Sequence, residues 1–207
     1  MFPQTIDGAT QRVLAKIAQS GLAADFYLAG GTALALQLGH RQSIDLDWFS
    51  AKALNNDVLK SKLAKLGDFE LASEDKNTIH GSLRGVKVSF LNYPYGLLFP
   101  LVDFGNVQLA DERDIAAMKI DAVSARGSRK DFIDIYFLLR KYSLSELVGF
   151  FEKKYAGLNY NKLHIIKSLG FFADAEKEPL PVMLEAAKWD EVKKRILEET
   201  GKVLENK

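Results

Sequence analysis

Gly30-Gly31-Thr32-Ala33-Leu34-Ala35-Leu36-Gln37-Leu38-Gly39-His40-Arg41-Gln42-Ser43-Ile44-Asp45-Leu46-Asp47 is the stretch on which the fold of this chain turns. A short aromatic and apolar run, Phe26 to Ala29, reads as a buried strand, and the glycine pair breaks it. Thr32 is placed to cap a helix over Ala33–Leu38, and Gly39 stops that helix. Ser43 to Phe49 alternates apolar and polar residues, which predicts a strand. Residues i and i+2 of a strand project from one face. Asp45 and Asp47 are therefore expected side by side, with Ile44, Leu46 and Trp48 on the opposite face. Two ionised carboxylates that close repel one another, so they call for a cation or a shared proton. Oxygen-only ligands select a hard ion such as Mg²⁺, which takes phosphate as a partner. Glycines let a backbone approach a ligand closely, and the first turn of a helix offers N–H groups to an anion. By itself a Gly-Gly turn is weak evidence, and a tight strand-to-helix connection explains it as well. The acids that follow give it weight. A surface salt bridge to Arg41 is the competing reading of the acid pair.

The rest of the chain divides in two. Asn55–Leu66 has helical spacing, and Phe69–Ser73, Thr78–Leu83 and Val86–Leu91 read as strands. Arg84-Gly85 suits a tight hairpin, and Leu101–Phe104 and Val107–Leu109 add short strands. After Ala110 the pattern becomes helical, over roughly 111–125, 130–141, 143–155, 159–173 and 189–205. The expected organisation is an α/β domain over residues 1–110 and a helical domain over 111–207.

Composition narrows the function classes. The 207 residues are 47% hydrophobic and 27% charged, ordinary for a globular protein, with a net charge of +1. No global field draws such a chain to nucleic acid or to an anionic membrane, so any polyanion must meet a local patch. The absence of cysteine excludes disulfides, zinc thiolates and a thiol nucleophile. No apolar run reaches the length of a membrane span, and the first ten residues lack signal-peptide character. A cytoplasmic location is the expectation.

In the helical half, Lys119 shares a face with Ile115, Ala122 and Val123, and Arg126 lies two turns on. Asp131 and Asp134, three apart, are neighbours on the next helix. One reading is an inter-helix ion-pair set. The other has Lys119 contacting phosphate oxygens, with Asp134 orienting it or sitting near the metal. His40, His80 and His164 show no ligand spacing and read as surface or helix-end residues. Trp48, Phe49, Phe150, Phe151, Phe171 and Phe172 read as core.

Gly30-Gly31-Thr32 with Arg41, Ser43, Asp45 and Asp47 resembles the first motif of the AbiEii/AbiGii toxin family of nucleotidyltransferases, within the DNA polymerase β-like superfamily. Lys119, Arg126, Arg129, Asp131 and Asp134 resemble its later Lys…Arg…Arg-x-Asp-x-x-Asp signature. The resemblance implies an α+β fold, a small mixed sheet with helices followed by a helical C-terminal region. It implies an NTP-dependent, Mg²⁺-dependent enzyme that moves a nucleotide to an acceptor hydroxyl, with RNA or tRNA favoured. A role as the toxin of a toxin–antitoxin or phage-defence system, with a cognate antitoxin protein as partner, follows from the same likeness. Carried over by position, Gly30, Gly31, Thr32, Arg41, Ser43 and Lys119 bind nucleotide. Asp45 and Asp47 hold metal, and Asp45, Asp47, Lys119 and Asp134 form the catalytic set. One departure stands out: Val86–Phe90 offers Ser89 where a third carboxylate is expected. Asp103 or Asp134 would have to substitute, or the chain is a silent nucleotide-binding module of the same fold. A third reading keeps the enzyme and makes its acceptor a small hydroxyl compound.

Overall fold

The computed structural model describes residues 1–205, which separate into two compact units, Met1–Asp111 and Glu112 onward. The first unit is built on a seven-stranded mixed sheet. Its strands are β1 (Tyr27–Ala29), β2 (Leu46–Ser50), β3 (Phe69–Asp75), β4 (Thr78–Leu83), β5 (Val86–Asn92), β6 (Val102–Phe104) and β7 (Val107–Leu109). They lie in the order β3-β4-β5-β2-β1-β7-β6. β2 runs antiparallel to β1 and parallel to β5, and β1 is parallel to β7. The β4–β5 turn holds Arg84 and Gly85 at φ 53° and 77°, the paired positive angles of a tight hairpin.

Three helices belong to this unit: α1 (Gly8–Gln19), α2 (Gly30–Leu38) and α3 (Asn56–Ala64). Asp7 caps α1 by accepting from Thr10 N at 2.7 Å, and Asn55 caps α3 from Val58 N at 3.1 Å. Leu46, Trp48, Val88 and Phe90 form one buried face of the central strands, with Trp48 stacked on Phe90 at 6.2 Å. Full burial of side chains this size contributes about 1.5–3 kcal/mol each. The opposite face carries Asp47, Ser89 and His80, which stand in one cross-strand row.

The second unit is helical: α4 (Glu112–Ala125), α5 (Arg129–Leu138), α6 (Leu144–Lys154), α7 (Lys162–Ser168) and α8 (Trp189–Glu205). α4 packs on α5, α6 and α7, and α8 closes against α5, α6 and α7. Ile120, Phe132, Leu138, Leu147, Ile166 and Ile196 are wholly buried among them. A buried ion pair, Lys154 Nζ to Asp114 Oδ1 at 2.7 Å, ties α6 to α4. Ser143 and Glu146 form a reciprocal cap at the start of α6. No described helix is long and apolar enough to cross a membrane.

The mixed α+β architecture with a helical C-terminal region is the one expected, and the differences are local. α2 begins at Gly30 rather than Ala33, so Thr32 is inside the first turn and not its cap. β2 begins at Leu46 rather than Ser43, because pairing with β5 starts only there. Ile44 precedes it and is 54% exposed instead of facing the core. Phe171, expected in the core, is 63% exposed. His40, expected at the surface or at a helix end, stands just past the Gly39 cap of α2 and is fully buried.

Candidate functional site

Ala29, the last residue of β1, pairs with Asp47 in β2. The chain must turn from strand to helix immediately beneath that carboxylate. Gly30 makes the turn with φ 68°, an angle costly for residues with a Cβ. A Cβ on Gly30 would lie 2.8 Å from Asp47 Oδ2. One on Gly31 would lie 2.5 Å from Arg41 Nη2 and 3.4 Å from Ser43 Oγ. Each glycine is thus the seat of a charged side chain: Gly30 of Asp47, and Gly31 of Arg41. Ala29, at the cap position of α2, has no side-chain acceptor to offer, and the first turn has no acidic residue. This leaves the partial positive charge of the helix start directed at the same spot.

Thr32 is buried, and its hydroxyl donates to the carbonyl of Asp45. Its Oγ1 also lies 2.9 Å from Ser43 Oγ. Ser43 N donates to Thr5 O at 2.9 Å. Arg41 is almost wholly buried and donates from Nη1 to Gln42 O at 3.0 Å. The first unit therefore brings Gly30, Gly31, Thr32, Arg41, Ser43, Asp45 and Asp47 together. Asp47 stands on the strand. Asp45 stands on the extended segment leading into it, tied to α2 through its backbone. Among the described residues no group of three or more acids and histidines gathers to hold a metal ion. A cation at Asp45 and Asp47 would have two carboxylates from the chain and take its other ligands from phosphate and water, the habit of Mg²⁺.

Ser89 lands directly beside Asp47 in the β2–β5 register. Its other neighbour is His80 on β4, whose Nδ1 lies 3.0 Å from Ser89 Oγ. Asp103, considered as a substitute third acid, lies on β6 at the far edge of the sheet, with β1 and β7 between it and β2. It accepts from Gln108 Nε2 at 2.6 Å.

The second unit gathers the later constellation into a buried ion-pair network. Lys119 Nζ lies 2.7 Å from Asp131 Oδ1 and 2.6 Å from Asp134 Oδ2, with both carboxylates fully buried. Arg126 Nε and Ser128 Oγ reach Asp131 Oδ2 at 3.0 and 2.6 Å. Burial pushes the Asp131 carboxyl up, but Lys119 and Arg126 outweigh it and hold the group down at about 2. Arg129 does something else. Its guanidinium donates to Ala175 O at 2.7 Å and Glu176 O at 2.9 Å and lies over the Trp189 ring, clipping the segment before α8.

A model of the family described as nucleotidyl transferase AbiEii toxin, type IV toxin–antitoxin system, matches residues 12–103 and 96–206. The chain belongs to the AbiEii nucleotidyltransferase toxin family. An uncharacterised protein of Aquifex aeolicus (strain VF5), aq_aa25, is 36% identical over 203 residues, 95% of this chain and 96% of that one. Among solved structures, a candidate nucleotidyltransferase from Helicobacter pylori aligns with a TM-score of 0.55 at 14% identity, covering 96% of each chain. JHP933, also from Helicobacter pylori, aligns at 0.50 and 12% identity, over 96% of this chain and 98% of that one. At such identities the likeness is one of fold. What reading the AbiEii sequence misses is that His80 stands beside Ser89. Its signal was the register of Thr78–Leu83 against Val86–Leu91 across a two-residue turn, which places His80 opposite Ser89.

Proposed function

We propose that this AbiEii chain is a metal-dependent nucleotidyltransferase that moves a nucleotide from an NTP to an acceptor hydroxyl, RNA or tRNA by preference. The observation that carries the reading is Gly30, folded at a positive φ so that the Asp47 carboxylate sits over the first turn of α2. That arrangement sets an acid where a cation is wanted beside a helix start where phosphate is wanted. Asp45 and Asp47 are the residues that would hold Mg²⁺, and the donor set of hard oxygens fits that ion. Bound there, the ion would neutralise charge on the triphosphate during in-line displacement. Gly30, Gly31 and the α2 first turn receive phosphate oxygens. Thr32 and Ser43 hold the Asp45 backbone in place, and Arg41 supplies positive charge under Gly31. Lys119 and Asp134 complete the set on the strength of the family likeness. Their ion pairs hold the lysine in a single position.

RNA is favoured as acceptor by a cleft of about 380 Å³ in the second unit, lined by Arg126, Lys167, His164, exposed Phe171 and one acid, Asp174. Cationic groups beside an exposed aromatic ring suit a single strand, by phosphate pairing and base stacking. The family's description supports a toxin with an antitoxin protein as partner; a cytoplasmic site of action is part of the proposal. Incubation with each α-labelled NTP, Mg²⁺ and total cellular RNA or protein tests the reading. Label is expected on RNA, lost with Asp47→Ala and with EDTA. Full incorporation by Asp47→Ala sinks the carboxylate's assignment.

Ser89 beside Asp47 favours a second reading, a module that binds nucleotide without transferring it. A thermal shift with Mg²⁺ and NTP in the absence of any transfer would establish it.

A further inference from the structure

We infer that Ser89 and His80 together take the proton of the acceptor hydroxyl, with Ser89 touching that hydroxyl and His80 the proton acceptor behind it. The inference rests on the nucleotidyltransferase reading of Asp45 and Asp47. Carboxylates committed to a cation are poor bases, so the reaction needs another proton acceptor on the same face of the sheet. The register names the candidates. Ala29, Asp47, Ser89, His80 and Ser73 form one row across β1, β2, β5, β4 and β3. Strands stand about 4.8 Å apart, so Ser89 is the first side chain beyond Asp47 and His80 the next. Ser89 has no charge to offer. It does have a hydroxyl, and that hydroxyl is within 3.0 Å of His80 Nδ1.

The step balances without any further reactant. The acceptor oxygen forms a bond to the α-phosphorus of the NTP as the bond from that phosphorus to the bridging oxygen breaks, and pyrophosphate leaves. The acceptor proton passes to Ser89 Oγ while the hydroxyl proton of Ser89 passes to His80 Nδ1. The resulting imidazolium then loses its proton to water. The charged groups on the face of His80 are Glu70 and Asp75 on β3, Lys87 on β5 and, one strand further, Asp47. α3, with Asp57, Lys60 and Lys62, packs over the other face, where Lys60 pairs with Glu74 at 2.9 Å.

The test is a pH–rate profile of transfer from labelled NTP with Mg²⁺ to total cellular RNA and protein, for the full chain and its variants. The wild type is expected to lose rate toward acid across the range in which imidazoles titrate, around pH 6–7. His80→Ala should lower the rate by about 10²–10⁴-fold and abolish that limb, with an unchanged unfolding midpoint because the side chain is exposed. The double variant His80→Ala with Ser89→Asp should regain at least tenfold and carry its limb at lower pH. A His80→Ala protein with the wild-type rate, or a slower one that keeps the acid limb, overturns the inference and leaves the transferase intact. No transfer by the wild type under any condition overturns both.

Discussion

Replacing Gly30 by alanine puts the central geometry to a quantitative test. The residue holds φ at 68°, and the left-handed region costs a residue bearing a Cβ about 1–2 kcal/mol. Alanine recovers part of this, about 0.4–1 kcal/mol, by narrowing the unfolded ensemble. The new methyl also meets Asp47 Oδ2 at 2.8 Å, roughly half an ångström inside ordinary contact. The carboxylate can swing aside, so the stability loss should stay near 1 kcal/mol. The functional loss should be larger. A ligand moved by that much no longer meets an ion placed by the first turn of α2, and misplacement on the order of 1 Å can cost about 10²-fold. Urea unfolding and labelled-NTP transfer, measured on the same preparation, separate the two effects. Gly105→Ala is the control. Its φ of 60° carries the same backbone cost, and its methyl meets nothing within 4 Å. It should lose stability and keep its activity. A Gly30→Ala protein as stable and active as the wild type would refute the bend. One that is less stable but fully active would refute Asp47 as a site carboxylate.

Four further outcomes are expected. Asp131 is held at about 2 in the folded chain against an ordinary 3.8. A depressed carboxyl stabilises above its unfolded value and loses that contribution as pH falls through the folded one, so about 2 kcal/mol should disappear between pH 4 and 2. Urea midpoints across that range should fall less steeply for Asp131→Asn, and equal slopes would refute the shift. Lys154→Met leaves Asp114 charged and buried, which should cost about 3–5 kcal/mol. The double variant with Asp114→Leu should recover most of it, and simple additivity in a double-mutant cycle would deny the pair. Gly149→Ala, in the interior of α6 with nothing within 4 Å of the new methyl, should stabilise by about 0.5–1 kcal/mol. Calorimetry reads this as a rise of about 1–4 °C. Lys119→Met should leave two buried carboxylates without their shared cation and lower the unfolding midpoint sharply; a small change would mean the network is solvated.

The elements with strong local signals were legible from sequence. Thr78–Leu83 and Val107–Leu109 have the expected bounds, because alternation and turn residues agree there. The misplacements fall where tertiary contacts override local chemistry. Thr32 looks like a cap because Ser and Thr usually are caps. Here α2 starts at Gly30 directly from the end of β1, and the threonine hydroxyl is used to fix Asp45 instead. Ile44 fits the alternation of β2, yet no neighbour strand pairs with it, so it is exposed. Phe171 lies just past α7, a helix that ends at Ser168, five residues before the periodicity suggested.

The site shows the same division. Gly30, Asp47 and Ser89 are each visible as residues, but what relates them is register, a property of three strands at once. A strand reads its own two faces from its own sequence. It does not read which residue of a neighbour stands alongside, because a slip of one position leaves local propensity unchanged and exchanges every partner. The β4–β5 pair is the exception, since a two-residue turn fixes register by itself. From Arg84 and Gly85 the pairs count outward as Leu83 with Val86, Gly81 with Val88 and His80 with Ser89. That count makes His80 the neighbour of the one polar uncharged residue beside Asp47. A histidine that spacing alone leaves on the surface thereby becomes the proton acceptor nearest to the site.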